Sequence, residues 1–332
     1  MTLMKRVFWL VPMLVIGAGV PASVTGMATR SPDLGIMLSS KKSTSERPVW
    51  NRGLLGIRHK IVYQVVQGQG LTLFLFRNPS VSLGGRPVVV YIHGGGLRFG
   101  TAMITNAETP HNHLLVRLER QVIRERMDFV SLNYRLAPLY PWPEPLHDVK
   151  RAINYLKAHS RYLGINPGRI DVLGDSAGGE LSTFVGLTMH NPDGQPAVQG
   201  VVDLFGPVDR EGFARRWRDR HGLTPNPVYG IYTPRRARRE SAIVHVHPGA
   251  PPFLIIQGEK DRVVPPYQSL LLEKRLCAMG VPATQIIVKN AGHELIARGG
   301  AIDPPIPRIA LRINRFFKAT LDRTVCKRAS LD

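Results

Sequence analysis

Arg169-Ile-Asp-Val-Leu-Gly-Asp-Ser-Ala-Gly-Gly179 is a short apolar strand running directly into a Gly-x-Ser-x-Gly turn. Ile170 to Leu173 supply the strand, and Gly174, Gly178 and Gly179 clear side chains from around Ser176. An apolar helical pattern (Leu181, Phe184, Val185, Leu187) follows at once. A sharp strand-to-helix turn of this kind strains and exposes the serine, and aims backbone N–H groups and a helix N-terminus at its Oγ. The pentapeptide alone recurs by chance. Set between a strand and a helix, it predicts a nucleophile elbow.

Pro87-Val-Val-Val-Tyr-Ile-His93 is a second strand, and it ends in Gly94-Gly95-Gly96. Backbone without Cβ atoms brings its N–H groups close to a developing oxyanion, the term that usually dominates acyl transfer. Alone, three glycines after a strand read equally well as a plain turn. Beside the elbow, they predict an oxyanion hole built from the N–H groups of Gly94, Gly95 and Ala177.

An elbow of this type is followed in chain order by an acid and then a histidine. The strand Pro252–Gln257 leads into Gly258-Glu-Lys-Asp261, and the strand Thr284–Val288 into Asn290-Ala-Gly-His293. Both loops leave the C-terminal ends of strands, where open α/β sheets assemble their sites. Asp261 is the predicted acid; Glu259, nearer its strand, is the alternative. Among eleven histidines, His293 has the strand–glycine–histidine placement downstream of the acid. In these roles His293 takes the Ser176 proton and returns it to the leaving group, and Asp261 fixes the imidazole tautomer.

His93-Gly-Gly-Gly96, Tyr134-Arg-Leu-Ala-Pro138, Gly174-Asp-Ser-Ala-Gly-Gly179, Asp261 and His293, in this order, resemble the hormone-sensitive-lipase-like esterases of the α/β-hydrolase fold. The likeness runs over roughly residues 60–320. It implies a catalytic triad of Ser176, Asp261 and His293, with the oxyanion hole at Gly94, Gly95 and Ala177. The implied substrate is a small-molecule ester. Two features depart from that family: Leu139 stands where the Tyr-Arg-Leu-Ala-Pro motif usually continues with Glu, and little helical pattern precedes the first strand. Both place the chain nearer the capless feruloyl- and acetyl-esterase-like branch, with a more open site.

A chain of 332 residues, 43% hydrophobic, is long enough for one large α/β core. Helical patterns at Leu114–Arg126, Leu146–His159 and Tyr267–Met279 alternate with strands, which predicts βαβ units and a mostly parallel sheet flanked by helices. Lys60–Gln67 and Leu71–Arg77, about Gly68-Gln-Gly70, read as a hairpin. A last helix over about Pro307–Leu321 buries Ile309, Ile313, Phe316 and Phe317. The catalytic domain spans 51–325, with a basic insertion, a lid or rim, at 207–250. Leu97, Phe99 and Trp142 are candidate substrate-binding residues; they suit a core equally well.

Lys5 and Arg6 precede an apolar run from Val7 to Val20 and small residues to Ala28. Residues 1–28 therefore read as an export signal, or, over Val7 to Val24, as an uncleaved anchor that barely spans a bilayer, which needs ~20 apolar residues. Residues 29–50 are a polar linker. Cys277 and Cys326 either pair or remain separate thiols, and no Cys/His spacing suggests a metal or other cofactor. The net charge is +20, with Arg215, Arg216, Arg218, Arg235, Arg236, Arg238 and Arg239 in the insertion. It suits an anionic surface, acidic glycan or lipid headgroups, or is a solvated basic face. No nucleic-acid-binding module accompanies it. An amide or peptide hydrolase with the same triad, and a non-catalytic binding protein on this fold, are the competing functions.

Overall fold

Alternation along the central strands decides which helical layer each side chain joins. In β3 (Arg86–Ile92), Val88, Val90 and Ile92 enter one apolar cluster, whereas Val89 and Tyr91 enter the other. β7 (Phe253–Gly258) repeats the pattern, with Phe253 and Ile255 on one side and Leu254 and Ile256 on the other. A sheet buried on both faces needs helices on both, as mostly parallel sheets do.

The computed structural model describes residues 57–78, 85–103, 109–221, 226–230 and 233–322. The segments read from sequence as an export signal (1–28) and a polar linker (29–50), and Cys326, lie outside them; Cys277 is an exposed free thiol. The remaining strands are β1 (Ile57–Val66), β2 (Gln69–Arg77), β4 (Asp128–Leu132), β5 (Ile165–Asp175), β6 (Gly200–Leu204) and β8 (Ala283–Val288). With β3 and β7 they form one sheet in the order β1-β2-β4-β3-β5-β6-β7-β8. β1 pairs antiparallel with β2, and β2 with β4; all later pairs are parallel.

The β1–β2 hairpin turns at Gln67-Gly68, with φ of 49° and 79°. Both central residues are left-handed, as tight hairpins on twisted strands require. Gly70 belongs to β2, so the turn lies earlier than its glycine spacing predicts. β4 and β6, five residues each and buried throughout, have no alternating polar face to announce them.

Helices α1 (Pro110–Arg124) and α8 (Ile306–Leu321) cover one face. The other face carries α2 (Glu144–Ala158), α4 (Ala177–Thr188) and α7 (Tyr267–Ala278), with the short α3 (Ser160–Leu163) below α2. The predicted stripe of α8 is present: Ile309, Ile313 and Phe317 are fully buried, and Phe316 is half-buried against the same cluster.

One side chain works against this packing. Glu119 on α1 is fully buried, and burial pushes its carboxyl up to about 8, against a small opposing effect from Arg120. An acid neutral when folded but ionised when unfolded stabilises fully only below its unfolded value near 4.5. That stability is lost as pH rises toward 8. Glu119→Gln should therefore flatten the fall in stability between pH 5 and 8, a difference on the order of 4 kcal/mol at most. Urea unfolding across that range checks it: parallel curves for the two proteins would contradict the assignment.

Candidate active site

Ser176 joins β5 to α4 with φ 50° and ψ −117°, a conformation that costs about 1–3 kcal/mol in a residue with a side chain. The surroundings hold it there. Its N–H donates to the Leu204 carbonyl at 2.8 Å, and its carbonyl accepts from the Glu180 N–H at 3.0 Å. A Cβ on Gly178 would collide with the Ile92 carbonyl, and one on Gly174 with the Gly178 carbonyl. β3, β5 and α4 therefore meet only because these positions are glycine. From 171 to 180, Ser176 alone is not buried.

His293 opens a 3-10 turn, His293–Leu295, beyond β8. Its loop is closed by Gly292 N–H on the Ile296 carbonyl (2.7 Å) and Arg298 N–H on the Asn290 carbonyl (2.7 Å). The ring lies with Nε2 3.1 Å from Ser176 Oγ and Nδ1 2.8 Å from Asp261 Oδ2. Phe205, at 5.0 Å and 67°, presents an edge-to-face contact to it.

Asp261 is 3% exposed. Its Oδ1 accepts the N–H groups of Val263 (2.8 Å) and Val264 (2.9 Å), and its Oδ2 also accepts Gln257 Nε2 at 3.2 Å. The carboxylate is thus aimed by four donors, one of them the imidazole. Glu259 is exposed and accepts the Asn290 N–H at 3.0 Å instead. Asp261, and not Glu259, is the acid that meets His293.

The glycine loop departs from expectation at one atom. The Gly94 N–H donates to Asp175 Oδ1 at 3.0 Å, and a Cβ there would collide with the same carboxylate. That donor is committed and leaves the predicted set. Gly95 (φ 100°) and Gly96 (φ 61°) follow it in left-handed conformations. The N–H groups of Gly95, Gly96 and Ala177 meet no acceptor among the described residues. Ala177 is the first residue of α4, where helices leave N–H groups unpaired. No spacing within the sequence marks Gly96 over Gly94, because the deciding partner lies 81 residues away.

Of the three candidate substrate-binding residues, the structure leaves one exposed. Leu97 is fully buried in the core, its carbonyl accepting the Ala137 N–H at 2.8 Å. Trp142 is buried against Phe184, with the Arg210 guanidinium 3.5 Å above its ring. Both side chains are consumed in packing and are withdrawn from the binding set. Phe99 is 66% exposed.

The 207–250 insertion carries α5 (Arg210–His221) and α6 (Pro234–Arg239). It is fastened to α4: Arg210 Nε donates to Glu180 Oε1 at 2.6 Å, both side chains 1% exposed, and Tyr229 lies 4.1 Å over the same guanidinium. Arg210 N–H donates to Ser241 Oγ (2.9 Å), and Trp142 N–H to the Val228 carbonyl (3.1 Å). These contacts tie the described part of the insertion to α4 and to the loop carrying Trp142. A cleft of ≈ 730 Å³ beside Asp261 and His293 is flanked by Lys260, Arg262, Arg298 and Glu259.

A family model, BD-FAE, matches residues 76–276, more than half of the chain, from the end of β2 to near the end of α7. The chain belongs to the BD-FAE family. It is similar to Esterase LipC of Mycobacterium tuberculosis, 31% identical over 247 residues covering 70% of this chain and 59% of that protein. The Probable carboxylic ester hydrolase LipM of the same organism is 31% identical over 217 residues, 61% of this chain and 48% of its own. The chain thus spans about half the length of these curated relatives. Among solved structures, Thermogutta terrifontis esterase 2 phosphorylated by paraoxon superposes with a TM-score of 0.63 at 18% identity, over 85% of this chain and all of that one. The hyperthermophilic esterase of Pyrobaculum calidifontis gives 0.61 at 22%, over 79% and 85%. At these identities the likeness carries the fold, which is that of the α/β-hydrolases. The motif resemblance and the family assignment agree.

Proposed function

We propose that this BD-FAE-family protein is a serine carboxylic-ester hydrolase that cleaves short- to medium-chain acyl esters through an acyl-enzyme. The observation that carries this reading is the continuous chain Ser176 Oγ–His293–Asp261, at 3.1 and 2.8 Å, beside three uncommitted N–H groups. With Nδ1–H donating to Asp261, the Nε2 lone pair faces Oγ and takes its proton as Oγ attacks the ester carbon. The oxyanion is received by Gly95, Gly96 and Ala177. His293 then protonates the leaving alcohol, and a water repeats the cycle to release the acid. The relatives' printed names, esterase and carboxylic ester hydrolase, support the same chemistry.

Two finer points belong to this proposal. Lys5-Arg6 and the apolar run after them support export, with an N-terminal anchor as its alternative. Arg215, Arg235, Arg238 and Arg239 are exposed on the insertion and support attraction to an anionic surface or acidic glycan.

Initial rates on p-nitrophenyl esters of rising acyl length, beside matched p-nitroanilides and with or without anionic vesicles, test all of this. The expected result is turnover peaking at short to medium esters, anilides slower by orders of magnitude, and vesicle binding that salt removes. Anilides turned over as fast as esters would replace the reading with an amide hydrolase; vesicles without effect would remove the anionic partner.

A further inference from the structure

A buried carboxylate lies directly behind the glycine loop. Asp175 precedes the nucleophile, is 7% exposed, and has Oδ1 occupied by Tyr91 Oη–H (2.7 Å) and the Gly94 N–H. The place of that carboxylate decides where the Gly94 N–H, and with it the glycine loop, sits. His111, the second residue of α1, is 5% exposed and holds Nε2 3.4 Å from Asp175 Oδ2. We propose that His111 is a positioning residue for ester hydrolysis: its buried ring holds from behind the carboxylate that orients the glycine loop. The inference rests on the Ser176 reading above.

Several other groups face this pair, His93 among them, which also acts on Asp175. Tyr91 and Tyr134 are pushed up by burial first and by Asp175 second, so both stay protonated. His93 is pushed down by burial; its Nδ1 lies 2.8 Å from the Gly94 carbonyl, and its ring stacks on Tyr134 at 4.2 Å. Glu294, beside His293, acts on Tyr91 and adds negative charge. Phe205 is uncharged and stands edge-on to His111 at 5.5 Å and to His293 at 5.0 Å. Burial alone would push the Asp175 carboxyl up, yet the pairing with His111 leads the effects that bring it below the ordinary value.

Without that contact the carboxylate and the loop it orients lose their fixed place, so kcat falls while ground-state binding does not.

The test compares full-length wild type, His111→Ala and His111→Gln on one p-nitrophenyl ester, with each variant's melting curve. Gln keeps a donor toward Asp175; Ala removes it. The expected result for His111→Ala is a kcat lower by ~10- to 100-fold, less than a deleted oxyanion donor. Its KM stays near the wild-type value. His111→Gln recovers most of kcat. A His111→Ala protein with wild-type kcat overturns the proposal. So do Ala and Gln variants equally impaired, which reduces His111 to packing. Wild type inert to all esters and to covalent labelling at Ser176 would instead sink the hydrolase reading.

Discussion

Ser176→Ala is expected to lower kcat on a short-chain p-nitrophenyl ester by ~10⁴- to 10⁶-fold, with KM little changed. The loss falls on kcat because the missing bond, Oγ to the acyl carbon, exists only beyond the ground state. The oxyanion donors and the substrate surface remain, so catalysis is not abolished entirely. Folding should be spared: Ser176 Oγ bonds to His293 alone among the described residues, and the elbow is held by backbone bonds and glycine contacts. Single-turnover acylation and steady-state rates on the variant check this. Retention of even a tenth of wild-type kcat would show that some other group is the nucleophile.

The second large effect is at the acid. Asp261→Asn should cost about 10⁴ in kcat with the geometry preserved. The carboxylate accepts from four donors, Val263 and Val264 N–H, Gln257 Nε2 and His293 Nδ1. An amide has a single accepting oxygen, and the two loop N–H groups compete for it. The NH₂ group then faces His293 and selects the tautomer with its proton on Nε2, which cannot accept from Ser176. Glu259→Gln, by contrast, should stay within about twofold of wild type, since Glu259 receives only the Asn290 N–H. Steady-state kinetics on the two variants separate the acids. Equal losses would return Glu259 to the site.

Much of this is legible in the sequence, for reasons of locality. The elbow, the glycine loop and the acid and histidine loops each follow their strand within a few residues, so strand and chemistry are written in one short segment. The parallel sheet then brings the ends of β5, β7 and β8 to one edge, with β6 between the first two. Leu181, Phe184 and Val185 announced α4, and Ile309, Ile313 and Phe317 announced α8, because a 3.6-residue period survives in sequence.

What the sequence hid depends on distant partners. Gly94 and Gly96 are indistinguishable in a run of three glycines; the carboxylate that takes the Gly94 N–H comes from β5. Leu97 and Trp142 have the chemistry of a binding pocket, but a buried guanidinium and the core claim them first. Glu180 and Arg210 lie 30 residues apart, and neither type is expected to be buried unless paired. Their pairing ties the start of α5 to the nucleophile helix. β4 and β6 were hidden by being too well buried: with both faces covered, period-two alternation vanishes.

The central claim is that Ser176 forms a covalent acyl-enzyme. The most direct measurement is intact mass and peptide mapping of wild-type protein after treatment with a p-nitrophenyl organophosphate. Oγ displaces p-nitrophenolate there and stays phosphorylated. One adduct per chain is expected, on the peptide carrying Ser176, formed in step with loss of esterase activity and absent from Ser176→Ala. An active enzyme that stays unlabelled, or one labelled elsewhere as its activity disappears, would contradict it.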